Sequence, residues 1–158
     1  MMLHFLSLGL KRLLAKCCNR NIYIPIPVFG LGCGVLGLAL PKVSLKMGEY
    51  ASKLLKALEY RGYDSTGAAF QKDTTEITLL KDVGALSTLV KTLGIEKQSG
   101  KIFCGQVRWA TFGFVDKKNA QPHEVKCKRH IYGAHNGNLT STGELKSFLG
   151  NEGHFVQS

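Results

Sequence analysis

The sequence has few acidic residues, above all at its amino-terminal end. No Asp or Glu precedes Glu49, whereas six Lys and Arg residues do, and the whole chain of 158 residues carries a formal charge of +10. A nucleic-acid-binding protein of this charge typically also shows a basic stripe with aromatic residues or a named motif. Neither is present, so we expect no nucleic-acid partner, and a basic α+β module that binds nucleic acid is kept only as an alternative.

The sequence also has no repeated C-x-x-C spacing. Its cysteines are odd in number, and adjacent Cys17 and Cys18 are poor disulfide partners for each other. His123 and Cys127 are four residues apart, but a structural zinc site needs four ligands and no complete set is visible. We therefore predict no metal site and a reduced chain, as is usual for a cytoplasmic protein.

A long uninterrupted apolar run is missing as well. Ile22 to Pro41 carries no charge and is long enough to cross a bilayer, but proline and glycine interrupt it repeatedly. This favours a loop followed by a buried strand. Residues 1–32 are interpreted as a basic and apolar extension: a propeptide, a targeting segment or the product of a misassigned start. A membrane tether through residues 1–41 is the alternative.

The remaining sequence alternates short apolar runs with amphipathic stretches, which predicts an α+β domain. Its length allows one domain with one core, placed at residues 33–158. The predicted strands are Val35–Leu40, Gly67–Phe70, Glu76–Lys81, Ile102–Val107, His130–His135 and a start at His154–Val156. The predicted helices are Met47–Tyr60, Val83–Leu93 and Thr142–Leu149, and 111–123 is predicted to be loop.

Four motifs stand out from this background. They are the Cys33–Gly37 stretch CGVLG, LEYRGYDS at 58–65, RWATFG at 108–113, and HNG at 135–137, with NAQPH at 119–123 between the last two. In this order and approximate spacing they resemble the glutaminase domain of the class II, N-terminal-nucleophile glutamine amidotransferases. The wording of the second and third motifs resembles the sugar-phosphate branch of that family, whose enzymes make glucosamine 6-phosphate.

The resemblance implies a fold and a chemistry. The fold would be a four-layer α/β/β/α sandwich, here incomplete at its carboxyl-terminal end. Cys33 would be the nucleophile that attacks the side-chain amide of L-glutamine, with its own free α-amino group as the base. Asn136 and Gly137 would supply the oxyanion hole. No cofactor and no metal would be needed, and neither His123 nor His135 would be required as a base.

The resemblance also implies a binding pocket. Arg108 would clamp the α-carboxylate of glutamine, because a guanidinium matches a carboxylate with two parallel hydrogen bonds. Trp109 and Thr111 would shape the same pocket. Arg61 and Asp64 are predicted to form a charge pair that supports the Cys33 strand. Without these motifs, Cys33 would be read as a small buried apolar residue.

The sequence departs from the family pattern in three ways. Residues 1–32 precede Cys33, so its nitrogen is an amide until that segment is removed. Phe112 and Gln121 stand where the family often has His. The last strands and the sugar-isomerase half are not in this sequence, so fructose 6-phosphate would be reached only through that half. Homo-oligomerisation would belong to a full-length protein, and we expect this chain alone to be marginally stable or to need a continuation. A catalytically inactive remnant is the alternative.

Overall fold

The structure is a computed structural model that describes residues 32–126, 130–137 and 142–154. Its strands are β1 (Gly34–Ser44), β2 (Ser65–Gln71), β3 (Ile77–Val83), β4 (Gly100–Arg108), β5 (His123–Lys126) and β6 (His130–Gly133). Its helices are α1 (Met47–Leu58), α2 (Leu86–Thr92) and α3 (Thr142–Asn151). Short 3-10 turns follow α1 at Glu59–Arg61 and α2 at Ile95–Lys97.

Four strands form an antiparallel sheet in the order β1-β4-β2-β3. One face of this sheet is covered by α1, α2 and the second 3-10 turn. Helix α1 presents an apolar stripe to the sheet, since residues spaced by three and four lie on one side of a helix. The fully buried members of the resulting core include Met47, Ala51, Leu55, Phe70, Phe103 and Ile95.

Strand β4 lies between β1 and β2 and has two different faces. Phe103, Gly105 and Val107 point to the helices, and Phe103 stacks near Phe70 with ring centroids 5.3 Å apart. Successive residues of a strand point to opposite sides, so Gln106 and Arg108 point the other way, together with Cys104. Polar side chains therefore gather on the face of the sheet away from α1.

The described residues of 120–126 and 130–135 lie against that second face. The backbone carbonyl of Gln121 is so close to Gly67 of β2 that a side chain at position 67 would collide with it. Farther along the same face, the Tyr132 hydroxyl of β6 donates to Gln71 Oε1 at 3.3 Å. Strands β5 and β6 pair antiparallel as a small second sheet on this face of the main sheet. With the helices on the other face, the result is a layered α+β arrangement.

Most predicted elements are confirmed, with differences mainly at their ends; β6, for example, ends at Gly133 and not at His135. Strand β1 continues past Leu40 to Ser44, because Pro41 lies on an edge strand among the described residues and no neighbour needs its missing N–H there. The predicted helix at Val83 begins instead at Leu86, since Val83 pairs with Ser65 at the end of β3. Helix α1 ends at Leu58 and is followed by the 3-10 turn. A strand that was not predicted, β5, begins at His123, where a loop was expected.

Two predictions reach beyond the described residues. The amino-terminal extension lies outside them apart from Gly32, and the predicted strand at 154–156 does so except for His154, which is not in a strand. In the part of the chain that the structure covers, no helix combines the length and the apolar composition needed to cross a membrane.

Candidate active site

Cys33 lies immediately before β1, at the end of the sheet where β4 finishes. Gly34 pairs with Val107, which places Cys33 beside the Arg108–Trp109 step. The half-buried thiol donates a hydrogen bond to the Trp109 carbonyl oxygen at 3.5 Å. Gly34 itself is closely packed, because a Cβ there would lie 2.9 Å from Val107 Cγ2 and 3.1 Å from Leu58 Cβ. The start of the strand is therefore fixed against α1, and the thiol lies on the opposite side.

The structure brings Asn136 and Gly137 to Cys33 from more than 100 residues away. The Asn136 Nδ2 group donates to the Cys33 carbonyl oxygen at 3.0 Å. Gly137 is next in the chain, and its lack of a side chain leaves room for the His135 ring, whose Nε2 would be 3.0 Å from a Cβ at position 137. An amide side chain and a glycine N–H, both exposed, thus lie next to the candidate nucleophile.

Arg108, at the end of β4, is almost completely buried. Its guanidinium donates to the carbonyl oxygens of Phe112 at 2.6 Å and Phe114 at 2.9 Å. These two bonds close the loop that follows Trp109, and Gly113 within it has φ +77°, a conformation that favours glycine. The loop presents exposed Phe112 and Phe114 side chains around the site.

Trp109 and Thr111 lie in this same loop. The Trp109 ring is 43% exposed and makes an edge contact with Tyr63, with ring centroids 5.1 Å apart. The Thr111 N–H donates to the Trp109 carbonyl oxygen at 3.0 Å, the same oxygen that accepts from Cys33. The Trp109 carbonyl therefore connects the candidate nucleophile to the loop.

Arg61 and Asp64 support two different segments of the site. Arg61 Nε donates to the Gly32 carbonyl oxygen at 3.2 Å, directly before Cys33. Asp64 Oδ2 accepts from the Ala110 N–H at 2.7 Å, and the Asp64 N–H donates to the Arg108 carbonyl at 3.1 Å. Gly62 between them packs so tightly on the Arg108 backbone that no side chain fits. These contacts agree with the predicted supporting role of Arg61 and Asp64. The charge pair predicted between the two side chains stays a prediction.

Three further groups titrate near the site. Burial lowers the pKa of the half-buried His123, and the positive charges of Lys81 and Arg108 add to this effect. Burial raises the pKa of the Cys104 thiol, and a hydrogen bond with the Ala134 backbone acts on this pKa in the opposite direction. Burial also lowers the pKa of Lys81, although Glu124 and Asp116 oppose the shift. Within the described ranges no three His, Cys, Asp or Glu residues are grouped as a metal site would need, and Cys127 lies outside those ranges.

Two glutamines contact the site through hydrogen bonds that the sequence did not predict; Gln121 had been noted only as a departure from the family pattern, and Gln106 had not been noted. Gln106 Nε2 donates to the His135 carbonyl oxygen at 3.0 Å, and Gln121 Oε1 accepts from the His135 N–H at 2.6 Å. A polar residue inside the apolar run Ile102–Val107 was the available signal for Gln106. The side-chain oxygen of Gln106, Oε1, and Ser65 Oγ are buried without a hydrogen-bond partner among the described residues.

Comparisons with known proteins agree on one group of enzymes. The chain is 40% identical over 126 residues to glutamine–fructose-6-phosphate aminotransferase (isomerizing) of Methanococcus maripaludis, and 36% identical to the enzymes of that name from Sulfolobus acidocaldarius and Thermotoga maritima. These matches cover 80% of this chain but about a fifth of each relative's length. No protein-family model matches the chain.

Solved structures give the same grouping. An allosteric regulatory enzyme of purine biosynthesis matches with a TM-score of 0.65 and 28% identity, over 78% of this chain and 26% of that one. The glutamine phosphoribosylpyrophosphate amidotransferase of B. subtilis matches with a TM-score of 0.57 and 29% identity, over the same shares. The predicted fold class, an incomplete N-terminal-nucleophile sandwich, is confirmed.

Proposed function

Because this chain belongs, as a partial domain, to the class II glutamine amidotransferases, we propose that Cys33 hydrolyses the side-chain amide of L-glutamine and releases ammonia. The observation that supports this most is the convergence of three distant segments at one end of the sheet. Cys33, Arg108 and the Asn136–Gly137 pair meet there through direct hydrogen bonds or adjacent strand ends. They are the residue types that amide hydrolysis by a thiol requires.

The proposed reaction has two steps. Cys33 Sγ attacks the amide carbon of glutamine, and the negative charge that develops on the amide oxygen is stabilised by Asn136 Nδ2 and the Gly137 N–H. The amide nitrogen takes up a proton and leaves as ammonia, so that a glutamyl thioester forms on Cys33. Water then adds to the thioester carbon, and glutamate and the free thiol are released. Loss of one oxyanion donor typically slows such a reaction by about 10²- to 10³-fold.

The base in this proposal is the α-amino group of Cys33. A free amino group at that position has an ordinary pKa near 8 and can accept the thiol proton at neutral pH. In the sequence printed here Gly32 is bonded to Cys33, and an amide nitrogen cannot act as a base. Catalysis therefore requires cleavage between Gly32 and Cys33.

Arg108 is proposed to bind the α-carboxylate of glutamine. Both terminal nitrogens of its guanidinium already donate to loop carbonyls, those of Phe112 and Phe114. A carboxylate forms stronger, charge-assisted hydrogen bonds than a peptide carbonyl does. Glutamine would therefore take the place of at least one carbonyl, and binding would rearrange the loop that contains Trp109 and Thr111.

The acceptor of the ammonia belongs to the whole protein. Relatives of much greater length are named for the transfer to fructose 6-phosphate, and we propose the same acceptor for a protein that joins this domain to a sugar-isomerase half. A cytoplasmic location and a homo-oligomeric state belong to this proposal as well.

The test is glutamate release from glutamine. The chain would be assayed intact and after a specific protease has cut directly before Cys33, with Cys33→Ser and Cys104→Ser variants alongside. Cys104 is the matched control because it is the other described cysteine and lies on the neighbouring strand β4. We expect release only from the cut form, abolished by Cys33→Ser and retained by Cys104→Ser. Absence of release from both forms would contradict the proposal and favour the catalytically inactive remnant.

A further inference from the structure

His135 is held on both sides by glutamine side chains. Its carbonyl oxygen accepts from Gln106 Nε2 at 3.0 Å, and its N–H donates to Gln121 Oε1 at 2.6 Å. In a sheet, a neighbouring strand would satisfy both groups, but here two side chains from separate segments do so. The main-chain N–H and carbonyl of His135 are thus both hydrogen-bonded to glutamine side chains and not to a neighbouring main chain.

The hydrogen-bonding groups of the His135 peptide determine which end of each glutamine side-chain amide faces that peptide. A main-chain N–H needs an acceptor, and a main-chain carbonyl needs a donor, so Gln121 must present its oxygen and Gln106 its nitrogen. The two glutamines are therefore not interchangeable. Position 121 needs only an acceptor, whereas position 106 needs only a donor.

Both glutamines project from well-fixed parts of the fold. Gln106 is 1% exposed and lies on the central strand β4, between buried Gly105 and Val107. Gln121 lies between fully buried Ala120 and buried Pro122. The Ala120 carbonyl accepts from Lys81 Nζ at 2.6 Å, which ties this turn to β3.

The residues that the glutamines hold are themselves exposed. His135, Asn136 and Gly137 all face solvent, so packing contributes little to their position. Asn136 Nδ2 nevertheless reaches the Cys33 carbonyl at 3.0 Å, and the His135 ring lies over Gly137. A shift of the His135 peptide would move the candidate oxyanion donors directly.

We propose that Gln106 and Gln121 are positioning residues that clamp the His135 peptide and thereby align Asn136 and Gly137 with Cys33. This inference rests on the proposed function, since it concerns the oxyanion donors of that reaction. Neither glutamine touches the reacting atoms in this proposal. Both act through His135.

The test uses the same substitution at both positions, with opposite expected results. In the form cut before Cys33, Gln121→Glu keeps the acceptor and should hold kcat within about threefold. At a pH where its carboxyl is ionised, Gln106→Glu replaces the donor by an oxygen that repels the His135 carbonyl. Gln106→Glu should lower kcat about 10- to 100-fold with KM for glutamine little changed, since a misplaced catalytic group costs rate more than binding. Met, which is similar in shape but lacks both groups, should lower kcat at either position.

Gln98→Met is the matched control. Gln98 Nε2 also donates to a main-chain carbonyl, that of Gly94 at 3.2 Å, but on the helical side of the sheet next to the second 3-10 turn. This variant should lose a similar amount of stability and keep its kcat. Thermal unfolding of each variant identifies any that does not fold, and Gln121→Met, on a partly exposed side chain, serves if the buried Gln106 variants fail.

Amide hydrogen exchange and nitrogen-15 spectra of the whole chain separate this proposal from the proposed function. The His135 N–H should exchange about tenfold faster in Gln121→Met and at the wild-type rate in Gln121→Glu. The Asn136 side-chain NH₂ signals should shift in the Met variants and not in Gln98→Met. If these signals and the exchange rate stay unchanged, the clamp is overturned even where Cys33-dependent hydrolysis is found. If they change and no hydrolysis occurs, the clamp stands and the proposed function fails.

Discussion

The contact between Gly67 and the turn at Gln121 leads to a prediction about Gly67→Ala. Whether this substitution raises or lowers the free energy of unfolding decides whether the turn is fixed. Glycine inside a strand is less stable than alanine by roughly 0.5–1 kcal/mol, because the unfolded glycine chain has more freedom to lose. If space allowed, Gly67→Ala would therefore stabilise the protein. The structure opposes this, since the new Cβ would lie well inside 3.0 Å of the Gln121 carbonyl oxygen.

The size of the effect follows from what has to move. The obstacle is a backbone carbonyl, which cannot rotate away as the end of a flexible side chain can, and the Ala120 carbonyl next to it is bonded to Lys81. The turn must retreat by about 1 Å, and overpacking of this kind typically costs about 1–3 kcal/mol. This exceeds the gain from removing a strand glycine, so we expect Gly67→Ala to lower the free energy of unfolding by about 0.5–2 kcal/mol.

The assay is urea unfolding followed by fluorescence of Trp109, with Gly133→Ala as the control. Gly133 is also a strand glycine, in β6, but a Cβ there would have no atom within 4 Å. The control should be neutral or slightly stabilised. If Gly67→Ala is as stable as Gly133→Ala, the turn at Gln121 is free to move and the argument for a fixed clamp on His135 is refuted.

Three further predictions concern other parts of the structure. Arg108→Lys should raise KM for glutamine about tenfold or more in the cut form, because lysine cannot make two parallel hydrogen bonds to a carboxylate; an unchanged KM in a glutamate-release assay would remove Arg108 from the pocket. Burial lowers the pKa of His123 below its ordinary 6.5, so the unfolded chain takes up a proton at a higher pH than the folded chain does. The fold therefore keeps its full stability above pH 6.5 and loses stability as the pH falls from there through the lowered pKa of His123. Urea titrations at several pH values should show this loss, and a His123→Asn variant should show a flatter profile. In α1, Gly48→Ala should destabilise the fold despite a helix-propensity gain of about 1 kcal/mol, because the new Cβ would collide with the Ile95 carbonyl. Gly143→Ala in α3 should stabilise the fold, since nothing lies within 4 Å of a Cβ there. A higher melting temperature for Gly48→Ala than for Gly143→Ala would contradict the close packing at Gly48.

The regular elements were largely predictable because their patterns are local. Helix α1 shows its apolar stripe in the sequence, and β2 and β4 appear as short apolar runs. The boundaries were less predictable, since pairing decides them: Val83 was assigned to a helix but ends β3 opposite Ser65. Pairing partners far apart in sequence leave no local signal.

The residue types of the site were predictable, and so was a supporting role for Arg61 and Asp64, but the contacts of two glutamines were not. The motifs pointed to Cys33, Arg108 and Asn136, and the structure brings them to one end of the sheet. The hydrogen bonds of Gln106 and Gln121 were not predicted, although Gln121 was noted as a departure from the family pattern, because the sequence of a strand or loop does not indicate which group a glutamine side chain contacts. Here the partner is the peptide of His135, which no spacing rule connects to either residue.

The alternation along β4 has a consequence for how this sequence can vary. A gene change that adds or removes one codon within Gly100–Arg108 would turn every later side chain of the strand to the opposite face. Phe103 or Val107 would then be turned to the polar second face of the sheet, and Arg108 or Gln106 to the apolar core. The turn at 72–76 between β2 and β3 carries no such constraint, since it is mostly exposed and joins two strands at their ends. Length differences among natural variants should therefore accumulate in that turn and be absent from β4.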